Sequence, residues 1–190
     1  MPKDQSARQP ARKSPSRAST SRSSGGASHV RRVGGTSESC MVDTSDKAAT
    51  PRSALARAVL RFPPGILPRL MAEGGPKGPV GEVARLAGIA AAKRVDELIP
   101  LCHTLPLDHV EVRLEVLDDE RLEVVCGART LARTGVEMEA MVGAATAALA
   151  VYDMSKALDK GIVVERVELL EKSGGRSGSW RRPARAGRSA

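Results

Sequence analysis

The stretch that most constrains the fold of this chain is residues 140–152, which contain no charged side chain. Glu137 and Glu139 precede the stretch, and Lys156 and Lys160 follow it, as suits the two ends of a helix dipole. A helix that is apolar on every side is buried on every side. We therefore predict a long central helix, and in a chain of this size we expect a partner subunit to cover part of it.

Three segments have the pattern of strands. Apolar and charged residues alternate over residues 110–116, which predicts a half-buried strand. An acidic turn then leads into residues 122–126, the expected hairpin partner. Residues 162–170, which follow the long helix, are predicted to form a further strand.

Two further helices are predicted before these strands. Thr50 and Pro51 suit the cap and first turn of a short helix over residues 54–60. Apolar residues recur at helical spacing over residues 81–93. The order of elements predicts an α+β fold, in which helices pack on one face of an antiparallel sheet.

The basic character of the chain is concentrated in its two ends. The net charge is +8, yet residues 1–36 carry eight Lys and Arg against Asp4 alone, and residues 176–190 carry five Arg and no acid. Both ends are rich in Ser, Arg, Gly, Ala and Pro, a composition that favours disorder. We predict disordered tails at residues 1–37 and 176–190 around one domain at residues 38–175.

Neither a secretory signal nor a membrane span is expected, since the longest uncharged apolar run is too short to cross a bilayer. Three cysteines, an odd number, do not suggest a disulfide framework. These features favour a cytoplasmic location. An Arg- and Ser-rich N-terminus also fits a transit peptide, so the mitochondrial matrix is the alternative.

The segment I99-P-L-C-H-T-L-P-L-D-H109 places Cys102 beside His103. No paired spacing such as C-x₂-C or H-x₃-H occurs, so we expect no metal site. A nucleophile pair is also disfavoured, because adjacent residues in an extended segment point to opposite faces. We expect Cys102 to be a small buried side chain, and His103 either to point into a cleft or to be a solvated surface histidine.

Two motifs near the end of the domain each allow two interpretations. Asp153 and Lys156 share a helix face and form either a plain ion pair or an acid and amine poised for proton transfer. Glu139 lies about 21 Å before Asp153 along such a helix, so one site that used both would draw on two subunits. The loop K172-S-G-G-R-S-G178 either cradles phosphate with Lys172 and Arg176 or is a linker.

Taken together, the chain resembles the MoaC family, the cyclic pyranopterin monophosphate synthases of molybdenum cofactor biosynthesis. The likeness spans roughly residues 38–179. It rests on the segments M41-V-D43, K77-G-x-V80, V83-A-R-L-A-G-I-x-A-A-K-R94, L98-I-P-L-C-H103, T134-G-V-E-M-E-A140, Y152-D-M-S-K-A157 and L170-E-K-S-G-G-R-S-G178. The chain departs from the family pattern at Thr104, where many members have proline, and at Pro79, where an acid is common.

The resemblance implies a ferredoxin-like fold, a hexamer built as a trimer of dimers, and active sites between subunits. The implied reaction is that of a lyase: the cyclised guanosine triphosphate made by a radical-SAM partner enzyme is rearranged, and pyrophosphate is released. No resident cofactor is implied, although magnesium could accompany the triphosphate.

The resemblance also implies roles for individual residues. Asp153 would be the catalytic acid/base and Lys156 its proton-transfer partner. Lys77 and Lys172 would bind the triphosphate or act as acids. The implied substrate-binding residues are Leu101, Cys102, His103, Met138 and Glu139.

Two alternatives come from other classes of protein. A nucleic-acid-binding protein would act through its basic tails, with affinity that falls as salt rises. An inactive homologue would serve as an assembly partner, which the presence of Asp153, Lys156 and Lys172 disfavours.

Overall fold

A computed structural model describes residues 29–183 of the chain. The elements, in chain order, are β1 (Val30–Val33), β2 (Thr36–Ser39), β3 (Thr50–Arg61), α1 (Ile66–Glu73), α2 (Val80–Ala92), α3 (Val95–Leu98), β4 (His109–Val116), β5 (Arg121–Ala132), α4 (Glu137–Ser155), β6 (Val163–Ser173) and β7 (Trp180–Arg181).

Five strands form the main sheet, in the order β4-β5-β3-β6-β7, and every neighbouring pair is antiparallel. From β3 to β6 the chain follows the β-α-β-β-α-β sequence of the ferredoxin-like motif. Helix α4 packs against β3, β5 and β6, and α2 packs on α4 and β4. The predicted α+β fold is therefore confirmed, with α2 and α4 on one face of the sheet.

The prediction of a helix over residues 54–60 is wrong, because this segment lies in β3 at the centre of the sheet. Its four core-facing residues are two apart and fully or almost fully buried: Ala54, Ala56, Ala58 and Leu60. That period of two is a strand pattern, obscured here by the helix preference of alanine. Pairing with both β5 and β6 supplies the hydrogen bonds that override the local preference.

The other predicted elements are confirmed in type. Helix α2 covers the predicted residues 81–93 to within one residue at each end, and α4 is the predicted central helix. β4, β5 and β6 include the three predicted strands, although β5 continues six residues beyond the prediction, to Ala132. The sequence reading did not identify α1, α3 or the short strands β1, β2 and β7.

Helix α4 is only partly covered within one chain. Its buried side includes Ala140, Ala144, Ala147 and Val151, all with no exposed surface. On the other side Leu149 keeps 59% of its surface exposed. A single chain therefore does not bury α4 on every side, as was expected. A partner subunit that covers the exposed side stays a prediction.

Short strands lie within both of the tails that were predicted to be disordered. β1 and β2 form an exposed hairpin, whose turn is possible because Gly34 and Gly35 adopt positive φ. β7 pairs with the edge of β6, where Arg182 donates a hydrogen bond to the Leu169 carbonyl oxygen at 2.6 Å. The rest of the predicted disorder, in residues 1–28 and 184–190, falls outside the described residues.

Across residues 29–183, no helix combines the length and apolarity needed to cross a membrane.

Candidate active site

A carboxylate held between two lysines lies near the C-terminal end of α4. Lys156 Nζ is 2.7 Å from Asp153 Oδ1, and Lys77 Nζ is 2.8 Å from Asp153 Oδ2. We call Lys77, Asp153 and Lys156 the acid–lysine cluster. The structure thus contains the predicted Asp153–Lys156 pair and adds Lys77, which comes from the loop between α1 and α2.

The lysines stabilise the ionised form of Asp153. A hydrogen bond from Lys156, followed by one from Lys77, lowers the pKa of Asp153 to about 2. The same hydrogen bond raises the pKa of Lys156. Asp153 is therefore a carboxylate at neutral pH, and Lys156 is an ammonium ion that could supply a proton.

A tight turn presents Lys77 to the helix. The Gly78 amide donates to the Gly75 carbonyl oxygen at 3.0 Å, and Gly78 has a φ of 106°, a conformation that suits glycine. Pro79 follows with a φ of −73° and precedes the first residue of α2. This departure from the family pattern does not prevent Lys77 from reaching Asp153.

A cavity of about 490 Å³, which we call the recognition pocket, lies at the opposite end of α4. Its walls include all five predicted substrate-binding residues: Leu101, Cys102, His103, Met138 and Glu139. The first three follow α3 in a loop, and the last two lie in the first turn of α4. The structure thus brings together two segments separated by more than 30 residues.

Main-chain and side-chain hydrogen bonds fix the loop that carries His103. His103 Nε2 is 2.8 Å from the Val42 carbonyl oxygen. A carbonyl oxygen only accepts, so Nε2 carries the proton of this bond and Nδ1 is left for a ligand. The Thr104 hydroxyl donates to Asp96 Oδ2 at 2.5 Å, so the second departure from the family pattern ties this loop to α3.

The expectation that Cys102 is a small buried side chain is met only in part, because Cys102 and His103 both line the recognition pocket. The segment is a loop rather than a regular strand, so the alternation of faces does not apply. Cys102 is half-buried, and burial, followed by the charges of Glu139 and Asp96, raises the pKa of its thiol. A raised thiol pKa disfavours a nucleophilic role.

Glu139 is the buried acid of the recognition pocket, with 4% of its surface exposed. Burial raises its pKa to about 7, and the charges of Glu137 and Asp96 add to the rise. A substantial fraction of Glu139 is therefore protonated at neutral pH. In that form it can donate a hydrogen bond to a ligand as well as accept one.

A second cavity, of about 930 Å³, adjoins the recognition pocket through shared walls at Lys47, Thr134, Gly135 and Glu137. We call it the anion pocket. Five cationic side chains line it against three acids, Asp43, Asp46 and Glu137. The cations are Lys47, Arg52, Arg133, Lys172 and Arg176.

Lys172 lies at this end of the molecule, apart from Lys77. Its ammonium donates to the Ser177 hydroxyl and is 4.0 Å from Glu137 Oε1. Gly174 and Gly175 have φ values of 106° and 71°, and a side chain on either would collide with Pro51 or Arg52. The glycine-rich loop is thus folded against the start of β3, which rules out its reading as a plain linker.

Sequence reasoning identified Lys172 and Arg176 but missed Lys47, Arg52 and Arg133 as members of the anion pocket. Arg133 stands directly before the T134-G-V-E-M-E-A140 segment, and this position could have indicated that it lies at the site. Arg52 could not be placed while its segment was read as a helix.

Among residues 29–183, no group of three or more His, Cys, Asp or Glu side chains is arranged to hold a metal ion. The cations that line the anion pocket are instead suited to bind phosphate directly.

The match to a family model decides the relationship of this chain to known proteins. Residues 41–175 match the model of the MoaC family. The chain belongs to the MoaC family. The matched range contains the acid–lysine cluster and all five predicted substrate-binding residues, so these features lie within the part of the chain shared with other MoaC proteins.

Two MoaC relatives are more than half identical to the chain where they align. A protein of Bordetella avium (strain 197N) is 54% identical over 143 residues, which is 74% of this chain and 88% of the relative. One of Thermomicrobium roseum is 53% identical over 144 residues, 75% of this chain and 86% of the relative. Both are named cyclic pyranopterin monophosphate synthase.

Proposed function

We propose that this chain is a cyclic pyranopterin monophosphate synthase, a lyase of molybdenum cofactor biosynthesis. Its substrate would be the cyclised guanosine triphosphate 3',8-cyclo-7,8-dihydro-GTP, which it rearranges to cyclic pyranopterin monophosphate with release of pyrophosphate. The observation that carries the proposal is the acid–lysine cluster, where one carboxylate bridges two lysines. The names of the two relatives support it.

The acid–lysine cluster suits proton transfer during a rearrangement. Lys156 is held as an ammonium ion beside Asp153, and it can give a proton to a substrate atom that develops negative charge. The Asp153 carboxylate holds the lysine in position, and solvent can return the proton because the Lys156 side chain is exposed. Lys77 provides a second ammonium donor on the other oxygen of the carboxylate.

The two adjoining cavities suit the two halves of a nucleotide. The recognition pocket combines apolar walls at Leu101 and Met138 with polar groups at His103 and Glu139, a lining appropriate to a base. The cations of the anion pocket would hold the triphosphate and the departing pyrophosphate. The proposal needs no resident cofactor, and any magnesium would arrive with the triphosphate.

A complete site would require two subunits. Glu139 and Asp153 are fourteen residues apart in one straight helix, which separates them by about 21 Å. The uncovered side of α4, with exposed Leu149, offers a surface for a second copy. We propose a homo-oligomer, a hexamer built as a trimer of dimers, in which one subunit supplies the acid–lysine cluster and another supplies the two pockets.

The proposed reaction also indicates where the protein acts. Its substrate would come from a radical-SAM enzyme that cyclises guanosine triphosphate, so the two enzymes would work in the same compartment. We propose the cytoplasm, because three scattered cysteines fit a reducing environment.

The test is to incubate the purified protein with the cyclised guanosine triphosphate and to measure cyclic pyranopterin monophosphate and pyrophosphate. We expect Asp153→Asn, Lys156→Ala and Lys77→Ala each to lower the rate by about 100-fold or more, the usual scale for loss of a positioned proton donor. Glu82→Gln is the matched control, since Glu82 forms an exposed ion pair with Arg85 at the same spacing of three residues.

Retained turnover in the cluster variants would contradict the proposed mechanism. A parent that folds and assembles but does not turn over the substrate would favour an inactive homologue. Salt-sensitive nucleic-acid binding that is lost on removal of residues 1–36 and 176–190 would instead favour the tail-binding alternative.

A further inference from the structure

His29 lines the recognition pocket together with Cys102, His103 and Glu139. It stands directly before the β1–β2 hairpin, and it lies outside residues 41–175, which match the family model. A histidine on the wall of a ligand cavity could serve the fold or the ligand. The hydrogen bonds of its ring distinguish these roles.

The ring of His29 has one nitrogen engaged by the hairpin. His29 Nδ1 is 3.3 Å from the Cys40 carbonyl oxygen, and the Cys40 amide donates to the His29 carbonyl oxygen at 2.8 Å. Since a carbonyl oxygen only accepts, Nδ1 carries the proton of the ring contact. In the neutral ring Nε2 then has a free lone pair, and within residues 29–183 it forms no hydrogen bond.

The two histidines of the recognition pocket are therefore complementary. His103 donates a hydrogen bond from Nε2 to the Val42 carbonyl oxygen, which leaves its Nδ1 available to a ligand. His29 donates from Nδ1 to the Cys40 carbonyl oxygen, which leaves its Nε2 available. The segment from Cys40 to Val42 is thus held at one end by His29 and at the other by His103. The second ring nitrogen of each histidine is left for a ligand.

We propose that His29 is a substrate-binding residue, whose Nε2 accepts a hydrogen bond from an N–H group on the base of a purine-derived nucleotide. The base is the part of such a ligand that carries N–H donors, while the phosphates belong with the cations of the adjoining anion pocket. The proposal rests on the function proposed above, and it extends the site to the N-terminal hairpin.

Two substitutions separate binding from a purely structural role. His29→Gln places an amide oxygen near the position of Nε2 but loses the bond to Cys40. His29→Asn places an amide N–H near the position of Nδ1, and so keeps that bond, but has nothing at Nε2. His109→Ala is the control, because His109 lines a different cavity, on β4.

The measurements are KM and kcat for the cyclised guanosine triphosphate, and the Kd of GTP by calorimetry, on the full-length protein. We expect His29→Asn and His29→Ala to raise KM and Kd about tenfold with kcat nearly unchanged, the scale of one lost hydrogen bond. His29→Gln should recover most of the affinity, and His109→Ala should match the parent.

The opposite ranking, with Asn restoring affinity and Gln failing, would show that His29 only holds the hairpin and would overturn the proposal. Parental KM and Kd in all three His29 variants would overturn it as well, while the proposed reaction would stand. A parent that neither turns over the substrate nor binds GTP would overturn both.

Discussion

Glu139 is the side chain whose ionisation couples the recognition pocket to the stability of the fold. Its pKa is raised from an ordinary value of 4.5 to about 7, mainly by burial. The folded protein therefore binds this proton more tightly than the unfolded chain does. At pH below 4.5 both states are protonated and the residue has no net effect on stability. Between pH 4.5 and 7 the free energy of unfolding falls as pH rises. Above pH 7 the ionised, buried Glu139 destabilises the fold by its full amount.

We expect Glu139→Gln to be more stable than the parent at pH 8, by about 1 to 2 kcal/mol, and equally stable at pH 4. This is less than the whole pKa difference would give, because Glu139 lines the recognition pocket and is not enclosed in the core. Denaturant unfolding at the two pH values measures the change. Glu111→Gln is the matched control, because it makes the same substitution at an exposed position on β4, away from the recognition pocket. A loss of stability in Glu139→Gln at pH 8 would show that the carboxylate is instead stabilised in the fold.

At the scale of elements, the approach of α2 to α4 depends on two glycines. A Cβ on Gly88 would lie 2.9 Å from the Gly143 carbonyl oxygen and 3.0 Å from Ala147 Cβ. A Cβ on Gly143 would lie 3.2 Å from the Gly88 carbonyl oxygen and 3.4 Å from Ala92 Cβ. Because α4 carries residues of both ends of the site, a shift of this helix would move them together.

We expect Gly88→Ala to lower the free energy of unfolding by about 1 to 3 kcal/mol, because the added methyl overpacks the contact between the helices. Gly81→Ala is the matched control on the same helix, where an added Cβ meets nothing within 4 Å. It should be neutral or stabilising by up to about 1 kcal/mol, since alanine favours the helix. Equal effects of the two substitutions would contradict close packing at Gly88.

The elements also show where local sequence preference is misleading. α2 and α4 were predictable because apolar periodicity and the charges at the ends of α4 are local properties. β3 was not, because alanine is common in helices and the evidence for a strand is pairing with β5 and β6, which are at least 60 residues away in sequence.

For the whole molecule, the distance along α4 predicts that the site is shared between subunits. Asp153→Asn damages one end of α4, and Lys172→Ala damages the pocket at the other end. Each variant alone should be inactive. Mixed subunits should recover about a quarter of the parental activity, since random pairing in a symmetric dimer leaves a quarter of the sites intact at both ends.

Recovery is measured after co-expression of the two variants with different affinity tags, or after dissociation and reassembly of the mixed proteins. Two variants that damage the same end, Asp153→Asn and Lys156→Ala, form the control and should not recover. Absence of recovery in verified mixed oligomers would mean that each subunit builds its own site.

The sequence by itself determined the class of fold, the central helix and the family resemblance, because periodicity and short motifs are local in the chain. The resemblance in turn supplied Asp153, Lys156, Lys77, Lys172 and the five substrate-binding residues as predictions. The tertiary structure alone decided that Lys77 joins Asp153, that Lys172 lies in a separate pocket with Arg52, and that His29 reaches the recognition pocket. Contacts between residues far apart in sequence depend on how the sheet pairs and how the helices pack, and no local pattern encodes them.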